Sequence, residues 1–340
     1  MDIFDFSDIE KVIDSSGYTV NFTDTVNRLA SGDSQGFFGQ LFNSFINELM
    51  GELIFNKEVV IRIILMAISL ALINNLSMVF KNGQIAQTGF FAIYCMVIIL
   101  VVSGFLVISD VVAETIKMLI NFMIALIPSL MLAFGFIGAY TSQAGYCQLL
   151  LIMMAVVENI IIKFILPVIN IYVVLMLVNS LVNEDYVSKF AGLIESFVKW
   201  FTKTMLAVFT GLNIVQGMLS PSIDATKTKG FQKLAGLLKT GEIVNDVIYG
   251  TGNVIKNAIG TAAVVILAVI ILVPLVKVLA YIAMYKFTAA IIQPVSDKRL
   301  ITAVDSVAKG ASMLYRILIF CGVLFALTIA IMCIVTNNMR

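Results

Sequence analysis

Two ionisable residues stand where charge is costly. Glu158 and Lys163 interrupt the stretch from Cys147 to Val182, whose other polar or breaking residues include Asn159, Pro167 and Asn170. A charge at the centre of a bilayer costs roughly 2.5–3.5 kcal/mol even on insertion scales, so such residues pair, face a cavity or reach the headgroups. A five-residue step puts the two on poorly matched faces of a straight helix. Two readings follow: a polar lining of a conduit, or an interfacial turn with both charges near headgroups. Lys277, three residues after Pro274, poses the same choice. A proline frees a backbone carbonyl that a nearby cation can satisfy; alternatively the lysine snorkels from a span end. The pairs Asn74/Asn75 and Asn213/Gln216 suit hydrogen bonding between helices.

Other chemistry is excluded by residue type. The chain contains 0 histidines, which removes His-based acid–base catalysis, Ser-His-Asp triads and His metal sites. Cys95, Cys147, Cys321 and Cys333 sit in or beside apolar runs with no CxxC, and read as small apolar helix residues. The segment Tyr249–Asn253, YGTGN, contains a GxG, but no strand precedes it and no GxxxxGK[ST] is present, so no nucleotide site is expected. Asp and Glu pairs occur only in polar links. We therefore expect no enzyme activity, no cofactor and no metal. Net charge is +1, without a basic face interleaved with aromatics, so nucleic acid is not an expected partner.

The elements that must position these residues are membrane elements. Of 340 residues, 60% are hydrophobic and 13% charged, about half the charged share of soluble domains, and mean hydropathy is +1.01. Several apolar runs reach the roughly 20 residues that cross a bilayer. The expected fold is all-α: a polytopic integral membrane protein with about seven transmembrane helices (six to eight), plus interfacial amphipathic helices and a glycine-rich segment that is a candidate for re-entry.

The N-terminus, MDIFDFSDIEKV, is acidic and has no signal-peptide pattern. Residues 1–33 read as irregular, with a short helix from Ser7. Residues 1–57 form a polar N-terminal segment whose Phe38, Leu41, Phe42, Phe45, Ile46, Leu49 and Leu53 mark an amphipathic helix. A first membrane region covers 58–183, with spans at about 59–80, 89–108 and 118–140, a polar link SDVVAETIK, and Pro128 expected to kink the third span. The run 147–182 is too long for one crossing and is expected to break between Lys163 and Pro167, one long kinked helix being the alternative.

Residues 184–203 read as a second interfacial helix, with Trp200 suited to the headgroup level. A second membrane region, 204–340, contains an apolar helix at 204–219, the glycine-rich segment 220–260, and spans at about 260–281 and 314–335. Gly250, Gly252 and Gly260 are expected to mark helix ends or close packing, and Pro167 and Pro274 to act as hinges. Both late links are basic, at 227–239 and 298–309, although the span 260–281 separates them; a single positive-inside orientation does not satisfy both.

The C-terminal third carries a resemblance. GLNIVQGMLSPSIDATKTKGFQKLAG and GNVIKNAIGTAAVVILAVIILVPLVKVLAYIAMYKFTAAIIQPVSDKRL resemble the stage III sporulation protein AE family. The likeness rests on Lys256, Asn257 and Gly260, on Pro274, Lys277 and Ala280, on Tyr285 and Lys286, and on Gln293 and Pro294. The chain departs from the family at its start, where members generally carry a cleavable signal peptide, and at Leu238–Gly241, where they carry a Pro-Val-Val-Gly-like step. The resemblance implies a non-enzymatic, permease-like or export-platform-like membrane subunit of the channel complex linking mother cell and forespore. It also implies the partners: the lipid bilayer, other stage III membrane and ring-forming proteins, and a secretion-type ATPase. The implied location is the mother-cell-derived outer forespore membrane. A purely structural scaffold is the alternative, as is a secondary transporter of a small solute, which inverted repeats would favour; none is visible.

Overall fold

A computed structural model describes residues 6–15, 21–31, 61–65, 68–69, 72, 83–136, 140–181, 187–235, 241–294 and 296–335. Among them the secondary structure is helical, without strands. In chain order the helices are α1 (Ser7–Ser15), α2 (Phe22–Ser31), α3 (Gly83–Phe136), α4 (Tyr140–Ile160), α5 (Leu166–Leu181), α6 (Ser188–Ala235), α7 (Gly241–Ile292) and α8 (Lys298–Val335). A π-helical turn, Ile161–Ile165, joins α4 to α5. The expected amphipathic helix from Phe38 to Leu53 lies outside the described residues, as does most of the expected span 59–80.

The short helix expected from Ser7 is α1, and the residues after it, expected to be irregular, hold a second helix, α2. The Asn21 side chain accepts from the Asp24 N–H at 2.8 Å and caps α2. Glu10 of α1 adds a second cap, accepting from the N–H groups of Phe22 at 3.2 Å and Thr23 at 2.9 Å. Those donors have no partner inside their own helix, and a carboxylate suits the positive N-terminus. Phe6, Ile9, Ile13, Phe22 and Val26 are buried, and Phe22 meets Phe122 of α3 edge-on with centroids 6.3 Å apart.

Among the described residues, four stretches are long and apolar enough to cross a membrane: Gln87–Ala133, Cys147–Leu181, Asn257–Ile292 and Lys298–Cys333. The sequence expectation divides this material more finely. The span at 89–108 and the part of the span at 118–140 up to Phe136 belong to one helix, α3, and the polar link between them lies within it. SDVVAETIK contains no glycine or proline, and Asp110, Glu114 and Lys117 recur at four- and three-residue steps on one exposed face. Polarity alone does not end a helix. The apolar run 204–219 likewise continues the amphipathic segment within α6. The glycine-rich segment is helical on both sides of 236–240, in α6 and α7.

The break expected between Lys163 and Pro167 takes the form of the π-helical turn. Pro167 has no N–H to give to the Lys163 carbonyl, and the ladder adjusts by one residue: the Leu166 N–H reaches the Ile161 carbonyl, five residues back. The rod from α4 to α5 therefore continues without a loop. The link expected after residue 281 contracts to a tight turn. Pro294 follows the end of α7, and Asp297 caps α8, its Oδ1 accepting from the Arg299 N–H at 2.9 Å.

Helix α8 packs against α3, α5, α6 and α7, and α7 also packs against α2 and α3. Glycines let the backbones approach. A Cβ on Gly310 of α8 would overlap Val173 of α5 and lie 3.1 Å from the Phe105 ring of α3. A Cβ on Gly104 would overlap the Tyr285 hydroxyl, and one on Gly322 would overlap Ile271. Tyr285 donates to the Val101 carbonyl at 3.3 Å, and Tyr94 donates to the Leu177 carbonyl at 2.8 Å beside Ser180. These buried hydroxyls are satisfied by backbone of other helices and fix their register.

Candidate functional site

The expected site residues fall on different helices. Glu158 is half-buried in α4, and its neighbour Asn159 donates back to the Ala155 carbonyl at 2.8 Å. Lys163 lies in the π-helical turn and is exposed. Lys277 is half-buried in α7, three residues beyond the buried Pro274. Pro128 and Pro167 are exposed. Gly250 and Gly252 lie within the backbone of α7, and Gly260 faces Cys333 of α8 closely enough that a Cβ would overlap its Sγ. Glu158 and Lys163 are not paired with each other, in keeping with their five-residue step.

Contacts between helices place these residues at a common height. Helix α3 runs antiparallel to the α4–α5 rod, because Ser109 bonds Asn170 at 3.1 Å while Tyr94 bonds Leu177. Lys163, seven residues before Asn170, therefore lies opposite the turn of Glu114, and Glu158 opposite that of Asn121. Helix α6 follows as a hairpin, with Phe197 meeting Phe164 edge-on at 6.2 Å, which brings the Lys199–Glu195 ion pair to the same level.

Helices α7 and α8 are antiparallel, since Gly260 faces Cys333 and Gly322 faces Ile271. Helix α2, stacked on Phe122 through Phe22, also packs along α7, while Tyr285 near the other end of α7 reaches Val101. Thus α7 is antiparallel to α3 and α8 is parallel to it. Lys277, eight residues before Tyr285, and Arg316, six residues after Gly310, then come level with Asp110.

The result is a charged belt. Asp110, Glu114, Lys117, Glu158, Lys163, Glu195, Lys199, Lys277 and Arg316 lie within about 10 Å of one height, at 1.5 Å per residue. Asp110, Glu114, Lys117, Lys163 and Arg316 are exposed. Reading charge by sequence position singles out Glu158, Lys163 and Lys277 but not Asp110, Glu114 and Lys117, which fall in the stretch read as a link, nor Arg316, at the start of the last expected span. The step of four and three residues in Asp110, Glu114 and Lys117, uninterrupted by a breaker, is the signal that would have found the first three. Nothing in the sequence aligns residues on different helices; that alignment is set by Tyr285, Asn170 and Gly310.

Among the described residues no group of three or more His, Cys, Asp or Glu could hold a metal ion. The α7–α8 turn carries a further feature. Burial alone would raise the Asp297 carboxyl, but hydrogen bonds and charge from Arg299 outweigh it and hold Asp297 below its ordinary value.

Residues 20–336 match the stage III sporulation protein AE family. The chain belongs to that family. It is 24% identical over 308 residues to the stage III sporulation protein AE of Bacillus subtilis (strain 168), covering 88% of this chain and 77% of that protein. No solved structure matches the chain. Family membership and the long apolar helices together fit a membrane protein of sporulation.

Proposed function

We propose that the chain is a non-enzymatic, permease-like or export-platform-like subunit of the membrane channel complex that connects mother cell and forespore. The observation that carries this reading is the outward direction of its charges. Asp110, Glu114, Lys117, Lys163 and Arg316 are exposed on helices that also expose Ile99, Ile124, Leu132, Ile152 and Phe164. A self-contained transporter binds its solute between its own helices. This chain instead turns polar groups towards neighbours, as a subunit lining a shared path does.

In this reading Glu158, Lys163 and Lys277 contribute polar lining. Pro128, Pro167, Pro274, Gly250, Gly252 and Gly260 adjust helix direction and packing. Its partners are other stage III membrane and ring-forming proteins and a secretion-type ATPase, in the mother-cell-derived outer forespore membrane. The expected count of about seven spans is not carried forward: α3 and the α4–α5 rod each unite stretches that the count separates.

The test replaces Glu158 and Lys163 by alanine in the host. Two quantities are read: sporulation frequency, and co-purification of the chain with its complex. A lining role predicts reduced sporulation from an intact complex. Normal sporulation from an intact complex would leave the chain as scaffold only.

A further inference from the structure

The charged belt divides the bundle into two unlike ends. On one side lie residues 118–133 of α3, 147–157 of α4, 204–215 of α6, 257–276 of α7 and 317–333 of α8. None of these stretches contains Asp, Glu, Lys or Arg. On the other side lie the first half of α3, together with α5, the start of α6, the end of α7 and the start of α8. There α3 and α5 expose apolar residues, among them Met96, Ile99, Val107, Val174 and Val178. Yet α6, α7 and α8 carry Lys189, Lys286, Lys298, Arg299, Asp305 and Lys309, with Lys309 and Asp305 paired at 3.0 Å. One end is charge-free on α3, α4, α6, α7 and α8, with only the α1–α2 pair bringing charge to its margin; the other is apolar on one flank and charged on another.

Both ends cannot share one bilayer. Helix α3 has 54 residues, about 80 Å at 1.5 Å per residue, against a hydrocarbon core of about 30 Å. The charge-free stretch of α7, 257–276, spans about 30 Å and matches that core.

We infer that the bilayer encloses only the charge-free end of this bundle, with the charged belt seated among the phosphate groups of one leaflet and the other end standing clear of the hydrocarbon. Lys117 and Arg316 supply the cations for those phosphates, and Asp110 and Glu114 reach the water beyond. The α1–α2 pair docks at Phe122, about five residues from Lys117, so Asp8, Lys11 and Asp14 on its exposed face fall in the headgroup zone. The apolar flank of the projecting end, around Ile99 and Val174, is then a surface on protein or water and not on lipid. This placement is independent of whether the chain conducts anything.

The test is a depth measurement on the full chain in liposomes of phosphatidylcholine and phosphatidylglycerol. Single cysteines on a cysteine-free background carry a nitroxide at exposed positions: Leu132 and Leu149 in the charge-free end, Ile99 and Val174 in the projecting end. Relaxation by oxygen and by a water-soluble nickel chelate is compared. Expected is the lipid signature, high oxygen and low chelate collision, at Leu132 and Leu149 but at neither Ile99 nor Val174. A lipid signature at Ile99 and Val174 overturns the placement, whether or not Leu132 and Leu149 share it. Ile152 and Val178 serve as replacement positions if a label disturbs folding.

Discussion

Gly310 offers the sharpest test of the packing. It lies where α8 crosses both α3 and α5, and an added methyl would overlap Val173 and crowd Phe105 at 3.1 Å. Whether the obstacle can move decides the cost. Val173 is β-branched, and its χ1 is stiff in a helix, so the methyl cannot swing aside cheaply. At Gly322 the obstacle is the far end of Ile271, and at Gly260 it is a cysteine Sγ, both easier to displace. Replacing a helical glycine by alanine favours the helix by roughly 0.8–1 kcal/mol, while overpacking costs roughly 1–3 kcal/mol. For Gly310→Ala the second term outweighs the first, and the expected net loss is up to about 2 kcal/mol. Gly192 and Gly211 of α6 have nothing within 4 Å of the same added atom, so alanine there keeps the helical gain. In thermal melts of the purified protein, Gly310→Ala should lower Tm by up to about 3 °C, while Gly192→Ala raises it. Val173→Ala should suppress the Gly310→Ala defect, a coupling of roughly 0.5–3 kcal/mol. A Gly310→Ala protein as stable as Gly192→Ala would refute the three-helix contact.

Other predictions concern the ends of the bundle. Glu10→Ala removes the second cap of α2 and should cost about 0.5–2 kcal/mol, read as faster amide exchange in residues 21–31 while α8 is unchanged. Because Asp297 is held below its ordinary value of 3.8, it stabilises the folded turn above that pH. The contribution disappears as pH falls through the lowered folded value. Exchange at residues 293–301 should rise on acidification through and below pH 4, and Arg299→Ala should abolish that acid-dependent rise. Alanine at Glu158 and Lys163 should reduce sporulation without dispersing the complex. Nitroxides at Leu132 and Leu149, but not at Ile99 or Val174, should report lipid.

The sequence by itself determined the helical, membrane-compatible class and the family. Those depend on composition, apolar run length and local motifs, all of which are one-dimensional. It also located the irregularity before Pro167, since a proline without an N–H disturbs any helix that contains it. It did not determine where helices end. SDVVAETIK is polar, yet backbone hydrogen bonds continue through it, because nothing there opposes helical geometry and Ser109, Val112, Thr115 and Ile116 are buried against neighbours. Nor did it show that Asp8–Asp14 and Asn21–Asp24 belong to a docked helical pair, since the Glu10 cap joins residues 12 and 13 positions apart.

Only the tertiary structure decided that Glu158, Lys163, Lys277 and the Asp110–Lys117 turn share one height. Height along a bundle depends on register, and register is set by a few close contacts between distant residues: Tyr285 with Val101, Asn170 with Ser109, Gly310 with Phe105 and Val173. None of these is periodic, and none leaves a local signature in the chain.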